Sequence, residues 1–196
     1  MCARYRLTNS PAQIARHLGI LEADVTAATA NPRFNIAISQ AVPIVREAAG
    51  RRTISAAEWG FRAPWDSTKR IFNAMAETAA EKPTFRAAFR ERRCLMPADG
   101  FYEWPNKRAT LIHCNDDRLF CFAGLCKGSE VTMLTCAPND FMRPIHHRMP
   151  VILRADDYAR WLNPHAAVAD LMEIIASRPW TDMIATPAGT LHADSI

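Results

Sequence analysis

The sequence predicts an α+β fold in a single domain. Three observations lead there. A chain of 196 residues and 22.0 kDa is one domain's worth of polypeptide, long enough to bury roughly 70% of its unfolded surface in one core. Hydrophobic residues make up 49% and charged residues 22%, a globular composition that argues against disorder. Short β-prone runs and helical stretches follow one another without the regular βα alternation of a doubly wound sheet.

Ser10, Pro11 and Gly19 supply a cap, a first-turn proline and a terminator, so 10–18 reads as a helix. Residues 34–37 and 42–45 read as short strands about a polar Ser39-Gln40 break, and the polar stretch 50–58 leads into a strand before Trp59-Gly60. Residues 60–72, with Pro64, Trp65 and several polar side chains, read as a loop with an exposed aromatic. In 83–93, Phe85 and Phe89 stand four apart with arginines on the other faces and Pro83 near the start, which predicts a helix. From residue 94 the pattern turns to strands, at 94–96, 101–104, 111–114, 119–125, 131–136 and 150–153. Helices are expected at 156–162 and 165–177, and 179–196 shows no clear pattern.

No apolar run reaches the ~18–20 residues of a membrane span, and the N-terminus lacks the apolar stretch of a signal peptide. The expected compartment is therefore cytoplasmic. Cys2, Cys94, Cys114, Cys121, Cys126 and Cys136 form no CxxC pair, which argues against a zinc or thioredoxin site. Four of them lie in apolar, strand-like stretches that read as reduced, buried thiols, with Cys2 set apart. No metal and no cofactor are expected. The net charge of +4 is unevenly spread: residues 1–108 carry +7 and residues 109–196 carry −3. Twenty of the 24 basic residues are arginine. An arginine-rich basic half fits a nucleic-acid partner, or simply a solvated surface.

Four features could carry chemistry. Cysteine is small enough at position 2 for Met1 to be removed, leaving Cys2 as a 1,2-aminothiol. An α-amine titrates near pKa ~7.7–8.0, so roughly a tenth of it is free base at pH 7. It can attack an aldehyde to give a Schiff base, and the thiol can then close a five-membered thiazolidine. That closure is intramolecular, where effective molarities reach ~10⁵ M. From position alone, an incidental cysteine is the plainer reading. Glu103 stands between Tyr102 and Trp104, after an Asp99-Gly100 turn signal. Partial desolvation there would raise its pKa toward acid/base use, whereas strand alternation would turn it outward. His146 and His147 lie in a loop bracketed by Pro144 and Pro150. On an extended segment they point opposite ways, a poor metal site, but one can face a site and move protons near neutral pH. Asn73 is an amide after two apolar residues, able to orient a polar group.

Taken in chain order, several segments resemble one family. They are Met1-Cys2-Ala3-Arg4-Tyr5; Phe34-Asn35-Ile36-Ala37 with Gln40; Trp59-Gly60 with Pro64 and Trp65; Asn73-Ala74 with Glu77-Thr78; residues 92–104, which include Pro97-Ala98-Asp99-Gly100-Phe101-Tyr102-Glu103-Trp104; Phe122-Ala123-Gly124-Leu125; and Leu134-Thr135 through Ile145-His146-His147-Arg148-Met149-Pro150 to Leu153. Over residues 1 to about 155 the chain resembles the SOS response-associated peptidase (SRAP) family. The resemblance implies a mixed, mostly antiparallel, barrel-like core with flanking helices. It implies a slow or single-turnover role in the DNA damage response, shielding abasic sites in single-stranded DNA through a thiazolidine cross-link. Carried onto matching positions, Cys2 is the nucleophile, Asn73 orients its amine or the sugar, and Glu103 shuttles protons. His146 acts as general acid on the sugar oxygen, with His147 facing away. Arg4 and Arg148 contact the DNA and Trp65 stacks or wedges there. The implied protein is a monomer, nucleoid-associated when bound to DNA, with no membrane partner. Ala3 replaces a family glycine, Ile38 a proline and Met75 an arginine. The last removes a phosphate contact and should flatten the salt dependence of binding. The C-terminal family strand has no clear counterpart in 179–196. Two other readings stay open: a cysteine peptidase using Cys2 with His146 and Glu103, at least on its own Met1, and a non-covalent single-strand-binding remnant.

Overall fold

The computed structural model describes residues 2–28 and 32–189. Strand β1 (Arg4–Leu7) leads to helices α1 (Pro11–Leu18) and α2 (Glu22–Ala28). The start of α1 is a capping box: the Ser10 hydroxyl accepts from the Gln13 amide, and the Gln13 side chain accepts from the Ser10 amide. Gly19 ends the helix in the left-handed region at φ +66°. Strands β2 (Arg33–Ala37), β3 (Ala41–Ala48) and β4 (Arg51–Trp59) follow. Then come β5 (Phe61–Ala63), β6 (Asp66–Ile71), β7 (Asn73–Met75), α3 (Ala76–Ala79) and α4 (Arg86–Glu91). Strands β8 (Arg93–Ala98), β9 (Gly100–Glu103), β10 (Thr110–Cys114), β11 (Phe120–Lys127) and β12 (Glu130–Cys136) form the centre of the chain. It ends with β13 (Met149–Pro150), β14 (Ile152–Leu153), α5 (Tyr158–Leu162), α6 (Val168–Ile175) and β15 (Met183–Pro187).

The strands make two main sheets. One is antiparallel, in the order β15-β10-β9-β1-β2. The other runs β13-β12-β4-β3-β8-β11-β14, and a β11–β12 pairing closes its middle into a ring. Two of its pairings, β12–β4 and β12–β7, are parallel, so the ring is mixed and not a regular barrel. The α+β, mostly antiparallel expectation holds. The sheets meet through aromatics. Tyr5 and Phe101 come from the open sheet, Trp59 and Phe122 from the ring. Tyr5 packs edge-on against Trp59 at 5.3 Å and Phe122 at 5.8 Å, and Phe101 against Phe122 at 6.1 Å. All four are fully buried, and such rings dominate core energetics.

Arg93 opens β8 with a buried guanidinium that donates to the carbonyls of Phe89, Arg90, Trp161 and Asn163. One cation thus satisfies the C-terminal carbonyls of both α4 and α5.

Several expectations need correction. Residues 60–72 are not a loop: β5 and β6 form a hairpin, seated by buried Phe61 and by Arg70, which pairs with Glu58 and Glu130. Its polar run is the solvent face of a two-stranded ribbon. The helix expected over 83–93 starts at Arg86, and the one over 165–177 starts at Val168. Helices α2 and α3 were not anticipated. Within the featureless tail, β15 pairs with β10 from Thr110↔Pro187 to Cys114↔Met183, so a C-terminal strand is present after all. Among the described residues, no helix is long and apolar enough to cross a membrane, and no His/Cys/Asp/Glu group could hold a metal ion.

Candidate active site

Cys2 lies just ahead of β1, which runs between β2 and β9. Met1 lies outside the described residues. The Cys2 side chain is buried, at 1% exposure. Its carbonyl accepts a hydrogen bond from Asn73 Nδ2 at 2.9 Å, and its thiol donates to the Arg4 carbonyl at 3.5 Å. Asn73 opens β7, level with Met133 of β12. The open sheet therefore supplies Cys2 and the ring supplies the amide that holds it.

Glu103 ends β9, opposite Thr110 of β10. The register Tyr5↔Phe101 and Arg6↔Gly100 runs the residues before Tyr5 back alongside Tyr102 and Glu103. Glu103 is 3% exposed and Tyr102 is also buried. The outward-facing alternative fails because β9 is covered on both faces, and the Tyr102 hydroxyl is tied to the Phe34 carbonyl at 2.7 Å. Burial raises the Glu103 pKa. Burial also pushes the Cys2 thiol far up, and the Glu103 charge adds to that rise, so the two side chains sense one another.

His146 sits in the loop between β12 and β13. Its Nδ1 meets the Arg148 backbone, 3.0 Å from both N and O. Burial lowers its pKa below the usual 6.5, leaving the imidazole neutral at pH 7. The two histidines do not diverge as expected of an extended segment: this backbone is turned, and the rings stack 4.3 Å apart at 28°. His147 is the exposed one, yet its charge acts on Glu103, opposing the rise that burial causes.

The other expected residues are placed as follows. Arg4 donates to Asn35 Oδ1 at 2.9 Å, and Asn35 is buried. Arg148 is engaged by protein: it pairs with both Glu77 oxygens, at 2.7 and 2.8 Å, and donates to the Thr135 carbonyl at 2.5 Å. Trp65 stands 71% exposed between β5 and β6. The sequence reading missed Glu77. It also missed the exposed Trp104, which adjoins the buried Glu103 in the chain. A large apolar side chain beside a buried polar one was the available signal.

A sequence profile described as SOS response associated peptidase (SRAP) matches residues 1–191. The chain belongs to the SRAP family. Abasic site processing protein YoaM of Bacillus subtilis (strain 168) is 36% identical over 160 residues, 72% of this chain and 70% of that protein. Abasic site processing protein YoqW of the same organism is 32% identical over 191 residues, 88% of this chain and 85% of that protein. A crystal structure of a Bacteroides thetaiotaomicron protein superposes with a TM-score of 0.82 at 22% identity, over 95% of this chain and 91% of that one, a likeness of fold. Against the SRAP pattern, Ala3 has no positive φ, so its side chain imposes no left-handed strain where the family has glycine.

Proposed function

We propose that this protein processes abasic sites in single-stranded DNA by forming a thiazolidine between Cys2 and the ring-opened sugar. After Met1 is removed, the Cys2 amine adds to the sugar aldehyde carbon. The carbinolamine loses water to an imine. The thiol then adds across the C=N bond: sulfur bonds to carbon, and the S–H proton ends on nitrogen. No oxidant or reductant is needed. Glu103, with its pKa raised by burial, takes a proton from the ammonium and returns one to the departing hydroxyl. With Nδ1 of His146 engaged by the Arg148 backbone, its proton exchange with the sugar ring oxygen falls to Nε2.

The observation that carries this reading is the Asn73–Cys2 carbonyl hydrogen bond of 2.9 Å, beside a desolvated carboxylate. It fixes the first residue's backbone, and so its nitrogen, relative to an acid/base group. The names of YoaM and YoqW point the same way. The thiol's upward shift fits an order in which nitrogen attacks first and sulfur follows as a neutral thiol. A peptidase would need the opposite, a thiolate at neutral pH.

The test uses purified protein and an oligonucleotide carrying one abasic site, resolved on a denaturing gel. A heat-stable shifted band is expected from wild type and none from Cys2→Ala, with intact mass showing Met1 absent. Binding without a band would leave a non-covalent binder. With the Cys2 side chain 1% exposed, the mechanism requires that departure of Met1 open a path to it; a mature chain that retains Met1, or whose Cys2 no aldehyde can reach, would sink it.

A further inference from the structure

We propose, resting on the cross-linking reading above, that Glu77 is a positioning residue for this site: through Arg148 it holds the loop bearing His146 in fixed relation to the strand bearing Asn73. The Arg148 guanidinium is gripped from two directions. Nη1 and Nη2 reach the two Glu77 oxygens at 2.7 and 2.8 Å, and Nη2 reaches the Thr135 carbonyl at 2.5 Å. Both anchors are tied to Asn73. Glu77 lies in α3, which follows β7 without a break. Thr135 pairs with Met75 of β7, just as Met133 pairs with Asn73. At the other end, the Arg148 backbone engages His146 Nδ1 at 3.0 Å. A bidentate carboxylate–guanidinium pair fixes orientation as well as distance, because both groups are planar.

The pair is not needed to close the loop. Residues 137–148 leave from β12 and return to β13, and those strands pair directly through Cys136↔Met149 and Thr135↔Pro150. The Glu77 side chain is 44% exposed and that of Arg148 14%, so the pair adds some stability, and its bidentate geometry adds orientation. Hydrogen bonds from Arg148 hold its carboxyl below the ordinary range, so it is charged at neutral pH. Nη2 is taken up by Glu77 and Thr135, while Nη1 gives one N–H to Glu77 and keeps a second.

Single-turnover cross-linking of the mature chain, over a range of concentrations of the abasic oligonucleotide, tests the proposal. Glu77→Gln should lower the maximal rate by about tenfold or more, as small misplacements do, and move the half-saturating DNA concentration by less than about twofold. Glu77→Asp keeps the charge and should recover part of the rate. If Glu77→Gln instead tightens DNA binding and leaves the rate intact, Glu77 merely masks Arg148 from phosphate and the proposal falls. It falls equally if neither parameter moves while wild type cross-links normally. If wild type forms no cross-link, the reading above fails and takes this inference with it. Should Glu77→Gln not fold, Glu77→Asp alone decides: a maximal rate below wild type upholds the proposal and an unchanged rate overturns it.

Discussion

Glu103 is buried at the end of β9, and burial favours its protonated form. A carboxyl whose folded pKa exceeds its unfolded value near ~4.3 stabilises the fold fully below that value. The contribution is lost as pH rises through the raised folded pKa. At pH 8 wild type therefore carries a charged group the interior opposes, and Glu103→Gln removes it. The variant's thermal midpoint should exceed wild type's at pH 8, the gap should close as pH falls toward ~4, and the cross-linking rate should drop. Thermal unfolding at several pH values, with the gel assay in parallel, measures both. At this scale the residue types were legible and their surroundings were not. Glu103 stood between two aromatics in the sequence, but only the covering of both faces of β9 decides that it points inward. Glu77 was invisible as a partner because Arg148 lies 71 residues away.

β11 shows how a family motif becomes an element. Gly124 lies level with Cys94 of β8 and Met133 of β12. A Cβ there would stand 2.7 Å from the Cys94 sulfur and 3.1 Å from Met96 Cγ, both in the packed interior. Glycine is needed for space rather than for its dihedrals. Gly124→Ala should cost about 1–3 kcal/mol through overpacking, read as a lower urea midpoint with an unchanged slope. Elements with local grammar were readable in advance. The cap, proline and glycine of α1 bound it as predicted. The β5–β6 hairpin was not readable, because its charges are satisfied by Glu58 and Glu130 on other strands. The same holds for β15, whose partner β10 lies about seventy residues earlier in the chain.

Across the whole molecule, Asp99 joins the two sheets. It sits between β8 of the ring and β9 of the open sheet, fully buried. Its carboxylate accepts from Arg6 Nε at 2.6 Å, from the Asn9 amide and Thr8 hydroxyl at 3.0 Å each, and from the Thr8 amide. Its own amide donates to the Arg6 carbonyl at 3.0 Å. The Asp99-Gly100 pair read as a turn is thus a crossing point. Asp99→Asn leaves Arg6 paired only with the exposed Asp117 and should cost about 1–3 kcal/mol, seen as one cooperative transition at lower denaturant.

The closed ring leaves few borders where a foreign chain could add a strand. β13 and β14 are two residues each, too short to template another backbone. The open sheet ends in β2 and β15, five residues apiece, one beginning with a charged arginine and the other ending in proline. The β5–β6 ribbon ends in β6, whose Asp66, Lys69 and Arg70 place charges along that edge, and edges so guarded resist fibril-like stacking.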